Sequence, residues 1–355
     1  MRPNESTGHG ALRRLLPLLL LALPLAASAQ PGASRADTLR AQVAARREEV
    51  ARASERFLDR DRPAAERVRA AEEAEAFLEP EHRAGAAAVA RDEREEPRVR
   101  ARALLGLLHV LGEDSALVSD VAAWVASRRT PPALRDAAMT AAENLMFSHA
   151  PRPSRRELVD ALRETTADPD PALRERAFAV LALQDDEVAR ARLLEGLGAP
   201  RSAPLPPARI VELLGASLNE GSLPALHRAM LEPPDTATRT AALRLLGGYA
   251  PSRPYLVRYL QDPREPGAVR LAAMGALHAA APDSFPGYAL PVVEDEDADE
   301  PLRVYAIRAV QYRRPSAARA QDADAFDLAV RRLAAASRSG EVRRAAADYV
   351  RRRGI

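Results

Sequence analysis

The chain contains no cysteine and no lysine; all 52 of its basic residues are arginine. Without cysteine there is no disulfide, no thiolate zinc site and no thiol nucleophile. Without lysine there is no P-loop lysine, no Schiff base and no Ser-x-x-Lys chemistry. Aromatic residues make up 4% of the chain, a poor supply for sandwiches and barrels, whose strands draw on β-branched and aromatic side chains. The longest apolar stretch, Leu15 to Ala27, is broken by Pro17 and Pro24 and falls short of the roughly 20 residues that cross a bilayer. What remains is 355 residues, 47% hydrophobic and 29% charged, with alanine and leucine prominent. That composition favours a folded chain built from helices.

The first residues read as an export signal: Arg13-Arg14, the apolar stretch, then the small-x-small triplet Ala27-Ser28-Ala29 before Gln30. Cleavage after Ala29 is expected, with a periplasmic or secreted mature chain and no membrane span left in it. Removing residues 1–29 takes away three arginines and one glutamate and leaves 49 basic against 49 acidic residues. A neutral chain outside the cytoplasm is not expected to bind nucleic acid.

A pattern returns eight times. It consists of a turn rich in proline or acidic residues, an apolar residue, an arginine and an alanine-rich amphipathic run. The arginines are Arg100, Arg135, Arg174, Arg209, Arg239, Arg270, Arg303 and Arg343, spaced 30 to 40 residues apart. Four residues past the apolar position stand Ala103, Ala138, Ala177, Ala242, Ala273, Ala306 and Ala346, with Glu212 out of line. Eight past it the residue is usually Leu or Val. Positions 0, +4 and +8 share one side of a helix, and a small residue in the middle lets two helices approach closely. Prolines such as Pro97, Pro132, Pro171 and Pro207 suit first-turn positions, where a missing N–H costs little. Between the marked helices lie further amphipathic segments, for example Leu117 to Val125 and Tyr255 to Leu260.

Two helices per unit, stacked side by side, predict an all-α chain forming an α-solenoid. The segment Asp168-Pro169-Asp170-Pro171-Ala172-Leu173-Arg174-Glu175-Arg176-Ala177 resembles the bacterial HEAT-repeat signature Asp-Pro-x-x-x-Val-Arg-x-x-Ala, and the resemblance covers about residues 80–353. It implies a HEAT-like superhelix of about eight helical hairpins over residues 80–355. Residues 30–79 are expected to form capping helices, one from Asp37 to Asp59 with Leu39, Val43, Val50 and Phe57 along it, and one starting at Pro63. In the fourth unit the proline-rich stretch 199–207 predicts a long loop or a bend. The resemblance also implies a scaffold role for the repeated arginine, bonded to acidic or carbonyl groups of a neighbouring repeat.

No catalytic, cofactor or metal site stands out. No two histidines have the i, i+4 spacing of a helical zinc site. The acidic run Glu294 to Glu300 departs from a calcium loop, with Glu300 where glycine is required and Ala306 where glutamate is, and reads as a solvated loop before the next helix. Gly196-Leu197-Gly198 lacks the third glycine and the preceding strand of a nucleotide loop. The aromatic distribution is uneven: all 7 tyrosines lie between Tyr249 and Tyr349, several beside arginines. Tyr and Arg are enriched at interface hot spots, so Tyr255, Tyr259, Tyr305, Tyr312, Arg258 and Arg313 are the candidate contact residues.

The expectation is therefore an exported, non-catalytic repeat scaffold without cofactor, binding a protein or peptide along its concave face. Two other readings are a small-ligand binder or lyase-like enzyme, since bacterial HEAT-like repeats resemble the phycobilin lyase repeats, and a self-associating structural protein of the envelope.

Overall fold

The computed structural model describes residues 35–147, 152–311 and 320–355. The expected export signal, Tyr312 and Arg313 lie outside the described residues. Among the described residues there are eighteen α-helices and no strand. They form nine consecutive hairpins. The first is α1 (Arg35–Leu58) with α2 (Ala64–Ala74), followed by α3 (Pro80–Arg91) with α4 (Pro97–Leu105), α5 (Ser115–Ala126) with α6 (Pro132–Phe147) and α7 (Arg152–Thr165) with α8 (Pro171–Leu183). Next come α9 (Glu187–Gly198) with α10 (Pro207–Ala216) and α11 (Leu223–Leu231) with α12 (Thr236–Leu245). The last three are α13 (Arg253–Gln261) with α14 (Gly267–Ala280), α15 (Phe285–Glu294) with α16 (Glu300–Val310) and α17 (Ala320–Ala336) with α18 (Gly340–Arg353).

Packing follows chain order. The two helices of every hairpin touch, and each even-numbered helix also packs on the even-numbered helix of the next hairpin, from α2 through α18. Odd-numbered helices make a second layer through pairs such as α5 with α7 and α15 with α17. One buried cluster runs from Phe57 to Tyr349. A core that extends along the chain in this way, with each hairpin closed by its neighbours, is an α-solenoid.

The repeat alanines explain the close stacking. Ala103, Ala138, Ala177, Ala242, Ala273, Ala306 and Ala346 all have 0% exposure, so at each level the even-numbered helix has no room for a larger side chain. Helix starts are set locally. Asp114, Asp170, Asp186 and Asp235 each accept a first-turn backbone N–H, which satisfies donors that the helix itself leaves open.

Three details differ from the sequence expectation. Leu39 and Val43 are 59% and 61% exposed while Val50 and Phe57 are buried, because α2 has 11 residues against 24 in α1 and covers only its second half. The helix of the first marked unit is short and stops at Leu105, before the +8 position Leu107 of the pattern. There the Phe77 backbone N–H donates to the Gly106 carbonyl at 3.1 Å, and the Phe77 ring sits where a Gly106 side chain would be, 2.4 Å from an added Cβ. In the fourth unit Arg209 and Glu212 pair with each other on the surface, and α10 buries Ile210, Val211, Leu213 and Leu214 instead. Gly215 takes the close-contact role there: a Cβ on it would lie 2.5 Å from Leu245 Cδ2. The eight-residue connection 199–206 has shifted the buried face relative to the arginine.

Candidate functional site

The repeated arginine is a hairpin clamp. In five hairpins its Nε donates to the carbonyl ten residues earlier: Arg67 to Phe57 at 2.8 Å, Arg100 to Ala90 at 2.9 Å, Arg135 to Val125 at 3.0 Å, Arg270 to Leu260 at 3.0 Å and Arg303 to Val293 at 3.3 Å. Each acceptor is the penultimate residue of the hairpin's first helix, and in all five the connection is five residues long. The guanidinium thus neutralises the negative end of one helix from the first turn of the next. Its carbonyl partner lies in its own hairpin, not in a neighbouring repeat; in two of the five the neighbour adds an acid, Glu95 for Arg67 and Asp168 for Arg135. Arg67 is a ninth member that falls outside the eightfold pattern, because Glu66 occupies the apolar position before it. Connections of eight, four and three residues precede α10, α12 and α18, and there Arg209, Arg239 and Arg343 find other partners.

The candidate contact residues fall into two groups. Around α13, Tyr255 is half-buried. Its ring meets His227 edge-on at 5.4 Å, His227 also meets Tyr249 at 5.8 Å, and the Arg258 guanidinium lies 5.7 Å from the Tyr255 centroid. Tyr259 is 2% exposed, so it is a support rather than a contact residue. Its hydroxyl donates to the Met230 carbonyl at 3.3 Å, and the guanidiniums of Arg239 and Arg258 lie 5.1 and 5.2 Å from its ring centroid. Arg239 is in turn held by Glu265 at 2.9 Å. Tyr305 belongs elsewhere, half-buried on α16, edge-on to His278 at 6.4 Å and over Gly275, whose added Cβ would lie 3.5 Å from the hydroxyl. Tyr255 and Arg258 therefore sit on an unmarked helix and Tyr305 on a marked one.

The α11–α13 group has an electrostatic character that single residues did not reveal. Between residues 223 and 264 there are six arginines and three acids. Arg228, Arg253 and Arg258 are exposed, and none has an acidic partner among the described residues. Arginines in the first repeats, such as Arg60, Arg91 and Arg102, are by contrast paired with acids. The result is a cationic patch with tyrosine faces in it, a surface that can take carboxylates beside apolar groups.

Among the described residues no group of three His, Asp or Glu side chains is placed to hold a metal ion. In the acidic run Asp295 accepts the Asp297 backbone N–H at 3.0 Å, and α16 begins at Glu300. No helix of the described residues is long and apolar enough to cross a membrane.

The solenoid is similar to helical-repeat structures of HEAT-like type. One is the complex of CpcE and CpcF of phycocyanin lyase from Nostoc sp., 21% identical over 71% of this chain and 95% of that one, with a TM-score of 0.35. Another is human deoxyhypusine hydroxylase in complex with glycerol, 16% identical over 89% of this chain and 98% of that one, with a TM-score of 0.30. No family model matches the chain, and no curated protein matches it in sequence. The expectation that the chain is not an enzyme is corrected by these structures. Both carry the names of enzymes.

Proposed function

We propose that the chain is a helical-repeat scaffold that binds an acidic segment of a protein partner across the patch formed by α11 and α13. The observation that carries this reading is the exposed set Arg228, Arg253 and Arg258 on α11 and α13, without acidic partners among the described residues, with Arg258 over the half-buried Tyr255 ring. A guanidinium over a tyrosine face is held in place at low entropic cost and still offers N–H donors outward. Buried Tyr259, with the Arg239 and Arg258 guanidiniums against its ring, supports the geometry. Export belongs to the same reading and is supported by the pattern of residues 13–29; the expected mature chain starts at Gln30, which N-terminal sequencing of the protein from its native host reads directly.

The test is affinity capture with the native chain and with Arg228→Glu/Arg258→Glu, followed by titration of synthetic acidic segments from whatever is captured. Loss of capture by the charge-reversed chain, and weakening of peptide binding with added salt, is the expected outcome. Equal capture by both chains refutes the patch.

A further inference from the structure

A second site lies where the repeat is broken. The connection from α9 to α10 carries Pro200, Pro204 and Pro206 and folds back over α9, leaving a cleft of about 450 Å³ against the turn between α7 and α8. That is the size of a small-molecule site. Two arginines line it from different helices. Arg174, half-buried, does not make the carbonyl bond of its equivalents, although its connection also has five residues. Instead its Nε donates to the Pro204 carbonyl at 2.6 Å and its Nη1 to the Asp168 carbonyl at 2.5 Å. Arg192, on α9, takes the end of α7: its Nη1 donates to the Arg163 carbonyl at 2.8 Å and also to the Thr166 hydroxyl.

Each guanidinium is held through backbone carbonyls and keeps N–H groups with no partner among the described residues: Nη2 of the half-buried Arg174, and the Nε–Nη2 edge of the exposed Arg192. The acids nearby are not equivalent. Asp168 is 3% exposed and committed to Arg135 at 2.6 Å, so it does not neutralise the cleft. Glu195 is exposed at the rim and has no cation partner among the described residues. Ala167, Ala203 and Pro204 give the walls their apolar surface. Gly196 lets the loop close down, since a Cβ on it would lie 2.7 Å from Pro204 Cδ.

We infer that this cleft binds the carboxylate of a small organic monoanion with an apolar body. Two restrained guanidiniums match a planar carboxylate, the alanine and proline walls accept the apolar body, and Glu195 at the rim repels a second negative charge. The carboxylate can belong to a free acid or to the C-terminus of a peptide. Neither source depends on the α11–α13 patch.

Calorimetric titration of the full chain decides the matter, with phenylacetate, phenylacetamide, inorganic phosphate, and acetyl-Ala-Ala-Phe as its free acid and its amide. Expected are binding of the acids and at least about tenfold weaker binding of both amides and of phosphate. The acid–amide contrast uses the unaltered protein and so does not depend on any variant folding. Arg192→Gln lowers acid affinity by about tenfold, while Glu195→Gln keeps or raises it. Tighter binding of the peptide acid than of phenylacetate assigns the site to chain ends, and the reverse order to free acids; both support the inference. Equal binding of acids and amides, equal binding of phosphate, no heat with any acid, or an unchanged affinity in Arg192→Gln overturns it.

Discussion

Arg135 and Asp168 join two successive repeats. The Arg135 Nη2 lies 2.6 Å from Asp168 Oδ2 across 33 residues of sequence, while the Nε of the same guanidinium is bound to the Val125 carbonyl. Their side chains are 9% and 3% exposed. Removing one partner would leave the other's charge buried, at a cost of about 3–5 kcal/mol. Arg135→Ala is therefore expected to lower unfolding stability by roughly that amount, whereas Arg40→Ala, in a pair exposed at 80% and 58%, changes it by less than about 0.5 kcal/mol. Urea denaturation of both variants checks the contrast; similar values would show that the buried clamp does not govern stability.

Acid sensitivity follows from the same pair. Burial raises the Asp168 carboxyl, but hydrogen bonds from Arg135 and from the Asp170 backbone N–H, with the charges of Arg135 and Arg128, outweigh it and hold the group below its ordinary value. A carboxyl lowered on folding stabilises the protein fully above its unfolded value of roughly 4, and the contribution disappears as pH falls through the folded value. Melting temperature should hold steady from neutral pH to about 5 and drop below about 4. Asp168→Asn should melt lower at neutral pH and show a shallower acid drop.

Repeat alanines and surface alanines should respond oppositely to enlargement. Ala273 is wholly buried, and Ala273→Leu forces α14 away from its neighbours, costing about 1–3 kcal/mol or more. Ala268, on the same helix but exposed, should accept leucine within about 0.5 kcal/mol. Thermal denaturation of the two variants tells them apart.

Glycines allow a matched comparison. Gly106→Ala places a methyl 2.4 Å from the Phe77 ring, and repacking is expected to cost roughly 1–3 kcal/mol. Gly198→Ala, at the end of α9 with nothing within 4 Å, is expected to be neutral or to stabilise by up to about 1 kcal/mol. Equal effects in urea would mean that the Phe77 contact is not tight.

The recurrence of apolar residue, arginine and alanine on a helical period was sufficient for the all-α solenoid, because a hairpin too thin to bury its own apolar side has only its neighbours to cover it. The same spacing located the marked helices and most of their starts, since prolines and acidic caps act within a single turn. Tertiary structure alone decided the rest. Tyr255 and Tyr259 stand four residues apart beside the same arginine, yet one ring reaches the surface and the other is enclosed by Arg239 and Met230, contacts made with other helices. Arg174 carries the best match to the repeat signature, yet it leaves the common bond although its connection has the usual five residues, because its Nε is taken by the Pro204 carbonyl, thirty residues on. Periodicity records which side of a helix is buried; what lies across from a particular side chain depends on the lengths of connections elsewhere in the stack.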